Sequence, residues 1–217
     1  MLIGIPVFKD AEILDVTGPY DMFRWAGIDV ELTSAEAGPI VFHNDLSINV
    51  KTSFADAKRP YDVLWVPGGT DKAVLREMND PRRTYLDFLI AKAENARIVA
   101  SVCEGSLLLA AAGLLDGYEA TTHWQTIPCF KAFPKVKVVP GHPRYHEDGN
   151  RLTGGGVSSG LDEALRLIEI LEGTKTAQDV QLITQYYPKP PVHTSIPIAT
   201  TCNLSPIHVP PGPVPSA

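Results

Sequence analysis

Two kinds of hydrophobic pattern alternate along this chain. Runs that are apolar at nearly every position predict strands buried on both faces. Runs with apolar residues three or four apart predict helices with one buried face. Residues 2–8, 61–66 and 97–102 are of the first kind, and 29–34, 119–122 and 136–139 read as further, more polar strands. A hairpin is predicted over 37–50 around Asn44-Asp45, and another where 144–146 and 151–153 flank Glu147-Asp148-Gly149-Asn150. Helices are predicted from Pro19 to Ala26, with Pro19 in the first turn and Gly27 as the stop, and from Asp80-Pro81 to about Asn95. A third follows Cys103 and is closed by Gly113, a fourth carries Leu161, Ala164, Leu165, Ile168 and Leu171 on one face, and a last spans 177–186.

Strands alternating with helices predict an α/β fold, a mostly parallel central sheet covered by helices on both faces, with 61–66 and 97–102 at its centre. Ligand sites in such sheets lie beyond the carboxyl ends of the strands. Pro67-Gly68-Gly69 and Cys103 both fall there. From Pro188 on, nine of the 19 prolines crowd into the last 30 residues. The chain thus divides into a body, 1–187, and a Pro-rich tail, 188–217, which is either disordered or an extended arm over the body or a partner subunit.

The junction at Cys103 carries the most chemistry. An apolar strand runs into Ser101-Val102-Cys103-Glu104-Gly105, and Leu107 to Ala112 follow as a helix. Small residues two before and two after Cys103 suit a nucleophile elbow, where the backbone turns sharply and admits no bulk. The positive end of the following helix would lower the thiol pKa. The structural alternative is a buried cysteine at a strand end. Backbone N–H groups of Gly68, Gly69 and Glu104 are candidate oxyanion donors, or Gly68-Gly69 simply ends a strand. Asp15, among apolar neighbours ahead of Gly18-Pro19, is either a helix cap or a carboxyl kept protonated by burial and able to give a proton. His123 is a candidate base, with a hydrogen-bonded core histidine as the stronger alternative. Gly154-Gly155-Gly156 reads as a tight strand-to-helix crossing that brings backbone to the site, since no phosphate-binding fingerprint accompanies it.

Composition narrows the class. At 217 residues the chain has length for one domain, which buries about 70% of its unfolded surface. A net charge of −6 argues against nucleic acid as a partner. No apolar run reaches the ~18 residues of a membrane span, and no basic leader precedes the first strand. Cys103, Cys129 and Cys202, odd in number and widely spaced, predict neither a disulfide framework nor a zinc site, so a reducing cytoplasm is expected.

Several motifs together resemble the ThiJ/PfpI superfamily over residues 2 to about 191. They are Leu14-Asp15-Val16-Thr17-Gly18-Pro19, Thr52-Ser53-Phe54-Ala55-Asp56, Val66-Pro67-Gly68-Gly69-Thr70, Ser101-Val102-Cys103, Ala110-Ala111-Ala112-Gly113-Leu114-Leu115, Ala120-Thr121-Thr122-His123-Trp124 and Leu152-Thr153-Gly154-Gly155-Gly156. Within that superfamily the chain looks most like the isonitrile hydratases. The resemblance implies a flavodoxin-like three-layer sandwich and a homodimer with sites near the interface. It implies a nucleophilic Cys103 with Asp15 as its acidic partner, and a small-molecule substrate handled without metal or cofactor. Gly156-Val157 would line the pocket, with Thr122 and His123 as further candidates. One position departs: the hydratases carry Thr after the nucleophile, and this chain has Glu104, a carboxylate that would raise the thiol pKa unless it points away. The body also resembles the N-terminal half of AraC-type regulators, so a cysteine-based ligand or redox sensor is the second class. PfpI-like peptidases place His after the nucleophile and glyoxalase-type members use Glu as the acid, so both rank lower.

Overall fold

The computed structural model describes residues 1–212. Seven strands form the central sheet: β1 (Leu2–Pro6), β2 (Asp29–Ser34), β5 (Thr52–Ser53), β6 (Val63–Val66), β7 (Ile98–Ser101), β10 (Tyr145–Asp148) and β11 (Arg151–Gly154). Their order is β10-β11-β7-β6-β1-β2-β5, and every pair but β10–β11 is parallel. Helices α1 (Ile13–Trp25), α2 (Asp71–Asn79), α3 (Thr84–Ala93), α4 (Gly105–Ala111), α5 (Ser159–Glu172) and α6 (Thr174–Ile183) pack around it. The hairpin β3 (Gly38–Val41)–β4 (Ser47–Val50) and the parallel pair β8 (Glu119–Ala120)–β9 (Lys137–Val138) stand outside the main sheet.

β6 and β7 lie side by side near the middle of the sheet, and nearly every residue of both is buried. Two layers of helices cover such strands, which is why their sequences are apolar without alternation. Their carboxyl ends lead into Gly68 and Cys103, so one edge of the sheet carries both segments. Close approach here depends on missing side chains: a methyl group at Gly105 would lie 2.1 Å from the Val66 carbonyl oxygen.

Three elements differ from the sequence expectation. α1 begins at Ile13, six residues before Pro19, and runs through the proline. Proline has no N–H, so the carbonyl four residues back loses its helical partner. That carbonyl belongs to Asp15, and the buried Trp65 indole N–H donates to it instead at 3.0 Å. The helix expected from Asp80-Pro81 to about Asn95 is α3, which starts at Thr84 after a left-handed Arg83, and an unexpected helix, α2, capped by the Thr70 side chain, precedes it. A 3-10 segment, Ile127–Ala132, follows β8.

In the tail, residues 188–212 contain no helix or strand; 188–201 are almost wholly exposed, whereas 202–210 are bonded to the body; 213–217 are outside the described residues. Cys202 is disulfide-bonded to Cys129 across 73 residues of sequence. This overturns the expectation of unpaired cysteines, and with it the ground for a reducing compartment. Leu204 is buried, and Asn79 binds both the Pro206 carbonyl (3.0 Å) and the His208 N–H (2.8 Å). No helix among the described residues is long and apolar enough to cross a membrane.

Candidate active site

Cys103 sits in the two-residue gap between β7 and the residue that caps α4, with φ of +57°. Left-handed backbone in a residue with a side chain costs about 1–3 kcal/mol and persists only where neighbours enforce it. Here they do: the Cys103 N–H donates to Gly155 O at 2.8 Å, and its carbonyl accepts from Thr122 Oγ1 at 2.9 Å. Thr122 therefore fixes the turn's backbone rather than touching the sulfur. Across the gap Val157 is also left-handed, at φ +25°, and its N–H is directed at the thiol.

Asp15 reaches the site from the first turn of α1 and is fully buried. Backbone bonds from Glu12 N to Gly68 O (3.0 Å) and from Thr70 N to Asp10 O (3.1 Å) stitch the start of α1 to the loop after β6. The Gly68 N–H then donates to Asp15 Oδ2 at 2.8 Å, while Oδ1 has no partner. Burial pushes the Asp15 pKa well up, the Gly68 N–H opposes this, and the charge of Glu104 adds to it. The nearby thiol favours the charged form only slightly, without closing a hydrogen bond of ordinary geometry.

Glu104 does not point away. Its side chain is 8% exposed, and its Oε1 stands 3.6 Å from His123 Nδ1. A methyl group at Gly68 would fall 2.8 Å from Glu104 Oε2 and 2.9 Å from Cys103 Cβ, so only glycine lets these three groups meet. Burial raises the Glu104 pKa, against its contacts with the thiol and with the N–H groups of Glu104 and Gly69.

These neighbours decide the state of the sulfur. Burial pushes the Cys103 thiol well up, and the charges of Asp15 and Glu104 and the hydrogen bond to Glu104 push the same way, against the Val157 N–H alone. The expected lowering by the helix end does not prevail, because α4 is seven residues long and two carboxyls face the sulfur. The candidate oxyanion donors face carboxyls in this arrangement of the site. The Gly68 N–H is taken by Asp15, and those of Gly69 and Glu104 serve the Glu104 carboxyl.

His123 faces Glu104 and packs over Gly156, where a methyl group would lie 2.4 Å from its ring. Burial lowers its pKa, and Nδ1 makes no hydrogen bond of ordinary geometry. A cavity of about 330 Å³ opens beside the turn, lined by Thr122, His123, Trp124, Gly156, Val157 and Ile196 among others. A larger cavity, about 900 Å³, lies beyond β1 and β2, lined by residues such as Phe8, Arg76 and Tyr85. Among the described residues no group of three or more His, Cys, Asp or Glu is arranged to hold a metal ion.

Glu163 escaped the sequence reading. It is fully buried on α5, and both its oxygens lack a hydrogen bond of ordinary geometry. Burial and the charge of Asp15 raise its pKa well, the Ser101 N–H offsetting little. The signal was present: Glu163 lies three residues after Gly160 and four before Leu167, on the buried face of the helix.

Residues 1–170 match the model of the DJ-1/PfpI family. The chain is 40% identical to an isonitrile hydratase of Pseudomonas putida over 90% of this chain and 82% of that one. It superposes on the crystal structure of a ThiJ/PfpI family protein from Pseudomonas syringae with a TM-score of 0.81 at 34% identity, covering 88% of this chain and 77% of that one. It is also 30% identical to the HTH-type transcriptional regulator CdhR of Pseudomonas aeruginosa, over 74% of this chain but only 44% of the regulator.

Proposed function

The chain belongs to the DJ-1/PfpI family, and we propose that it is a hydratase that adds water to a small isonitrile, with Cys103 as nucleophile on a nucleophile elbow and Asp15 as its proton partner. One observation carries this reading. A sulfur on a left-handed turn, under the Val157 N–H, lies beside a buried carboxyl with one oxygen unpartnered. The identity with the Pseudomonas putida isonitrile hydratase supports the substrate class.

The steps balance with these two groups. Sulfur attacks the terminal carbon of R–N≡C, that carbon takes the proton of Asp15, and the thiol proton replaces it on Asp15. The product is the thioimidate R–N=CH–S–Cys103. Water then adds across the C=N bond, hydroxyl to carbon and proton to nitrogen. The C–S bond breaks as Asp15 passes the hydroxyl proton back to sulfur, leaving R–NH–CHO and the free thiol. Sulfur keeps its oxidation state, and no step calls for a metal or cofactor. Burial suits Asp15 to this work, since a raised pKa holds the carboxyl proton to higher pH than an exposed aspartate would. Glu104 disfavours a standing thiolate, so sulfur attacks as its proton leaves.

The test is incubation of the purified protein with aliphatic and aromatic isonitriles and assay of N-substituted formamides. Cys103→Ala abolishes product, and Asp15→Asn lowers turnover by about 10² or more while leaving binding. No formamide from any isonitrile, with Cys103 shown to be unoxidised, overturns the reading. The regulator-like alternative, oxidation sensing at Cys103, fits the site less well. Sulfenic acid formation follows thiolate character and exposure, whereas this thiol is 3% exposed and its pKa is raised.

A further inference from the structure

The tail is tied to the two loops that build the site. Cys129, three residues beyond Thr126 in the loop that starts with His123-Trp124, holds Cys202. Asn203 Nδ2 donates to Asp71 Oδ2 at 2.9 Å, and Asp71 follows Gly68-Gly69-Thr70 closely enough that its charge bears on both Glu104 and His123. Beyond this, Arg83 Nη1 donates to the Pro210 carbonyl.

Between the end of the body and Cys202 the chain behaves differently. Residues 188–201 contain no helix or strand, and no hydrogen bond to the body is seen there among the described residues. Nearly all of this stretch is exposed. Ile196 is nevertheless among the residues lining the cavity beside the Cys103 turn, with Thr122, His123, Trp124, Gly156 and Val157. It is 51% exposed. Isolated isoleucine on a surface needs no explanation. An isoleucine carried by an extended strap onto a cavity that adjoins the reactive turn does.

We propose that Ile196 is a specificity-determining residue of this site, an apolar wall for the side group of the substrate, and that the Cys129–Cys202 disulfide holds the strap that positions it. Resting on the hydratase reading, this assigns an apolar R group to R–N≡C, packed between Ile196, Trp124 and Val157. The isonitrile carbon reaches Cys103 past the Val157 backbone.

Cys103 is the free cysteine of the chain, so its alkylation reports on access without reference to turnover. Rates are measured with iodoacetamide, which is small, and N-phenylmaleimide, which is bulky and apolar, on the full chain. Since an apolar contact of this size is worth about tenfold or more in discrimination, Ile196→Ala shifts the ratio of bulky to small labelling about that much. Ile196→Trp shifts it the opposite way. Cys129→Ser/Cys202→Ser, which leaves Cys103 the one thiol, moves the ratio as Ile196→Ala does. Because Ile196 is half exposed, neither change there threatens folding, and circular dichroism checks all three variants. A ratio unmoved by both Ile196 variants overturns the wall. A ratio moved by Ile196 but not by the double serine variant overturns the tether. Kinetics with cyclohexyl against methyl isonitrile separate the two levels of inference. Formamide with unchanged side-group preference in Ile196→Ala sinks this proposal and keeps the hydratase. Shifted labelling with no formamide from the parent keeps the wall and sinks the hydratase.

Discussion

At the scale of single residues, the site is a contest between one thiol and the acids around it. Cys103 and Asp15 were legible in the sequence because each sits in a local context that declares itself, a strand-to-helix turn and an apolar stretch ahead of Gly-Pro. What Glu104 does was not legible, since adjacency along the chain does not say where a side chain points. In three dimensions it turns back toward the thiol and His123, over a glycine that leaves it room. Glu104 raises the Cys103 pKa by its charge and by its hydrogen bond, so Glu104→Thr makes the thiol more acidic. Iodoacetamide rates followed against pH then rise at lower pH than in the parent, and at pH 8 the variant labels about threefold faster for each unit by which its pKa falls, the larger thiolate fraction being partly offset by lower nucleophilicity. An unchanged profile removes Glu104 from any role in setting the sulfur's state.

At the scale of elements, apolar patterning located β1, β6, β7 and α5 but placed the start of α1 wrongly, for an identifiable reason. Pro at a helix start is the ordinary expectation; here a partner outside the helix tolerates it in the interior. Pro19 frees the Asp15 carbonyl, and the Trp65 indole takes it. That contact spans 50 residues and cannot be read from local sequence. It also ties the peptide of the acid to the central strand whose end supplies the Gly68 N–H. Trp65→Phe keeps most of the ring packing but leaves a buried carbonyl unpaired, at a cost of about 1–3 kcal/mol in urea unfolding. Because the freed peptide is that of Asp15, turnover falls as well. Preserved stability would show that another donor replaces the indole.

At the scale of the whole molecule, the tail and the buried acids are what sequence reading missed most. A proline-rich composition excludes helix and strand but does not say where an arm docks, and the partner of Cys202 is fixed by that docking. The acids converge from three elements, Asp15 from α1, Glu104 from the turn before α4 and Glu163 from α5, and their burial links global stability to pH. For Glu163 the pKa is raised above its ordinary 4.5 by burial first and by Asp15 second. Between the unfolded pKa and the raised folded one, the folded protein holds a proton that the unfolded chain has lost. Stability is therefore highest below about pH 4.5 for this group and falls as pH rises through that window, by about 1.4 kcal/mol per pH unit per such proton. Glu163→Gln removes the titration while keeping shape. The urea midpoint of the variant should gain on the parent between pH 5 and pH 8, whatever the fixed cost of burying the amide. Parallel pH profiles for the two proteins would mean that Glu163 titrates alike in both states and that burial does not hold its proton.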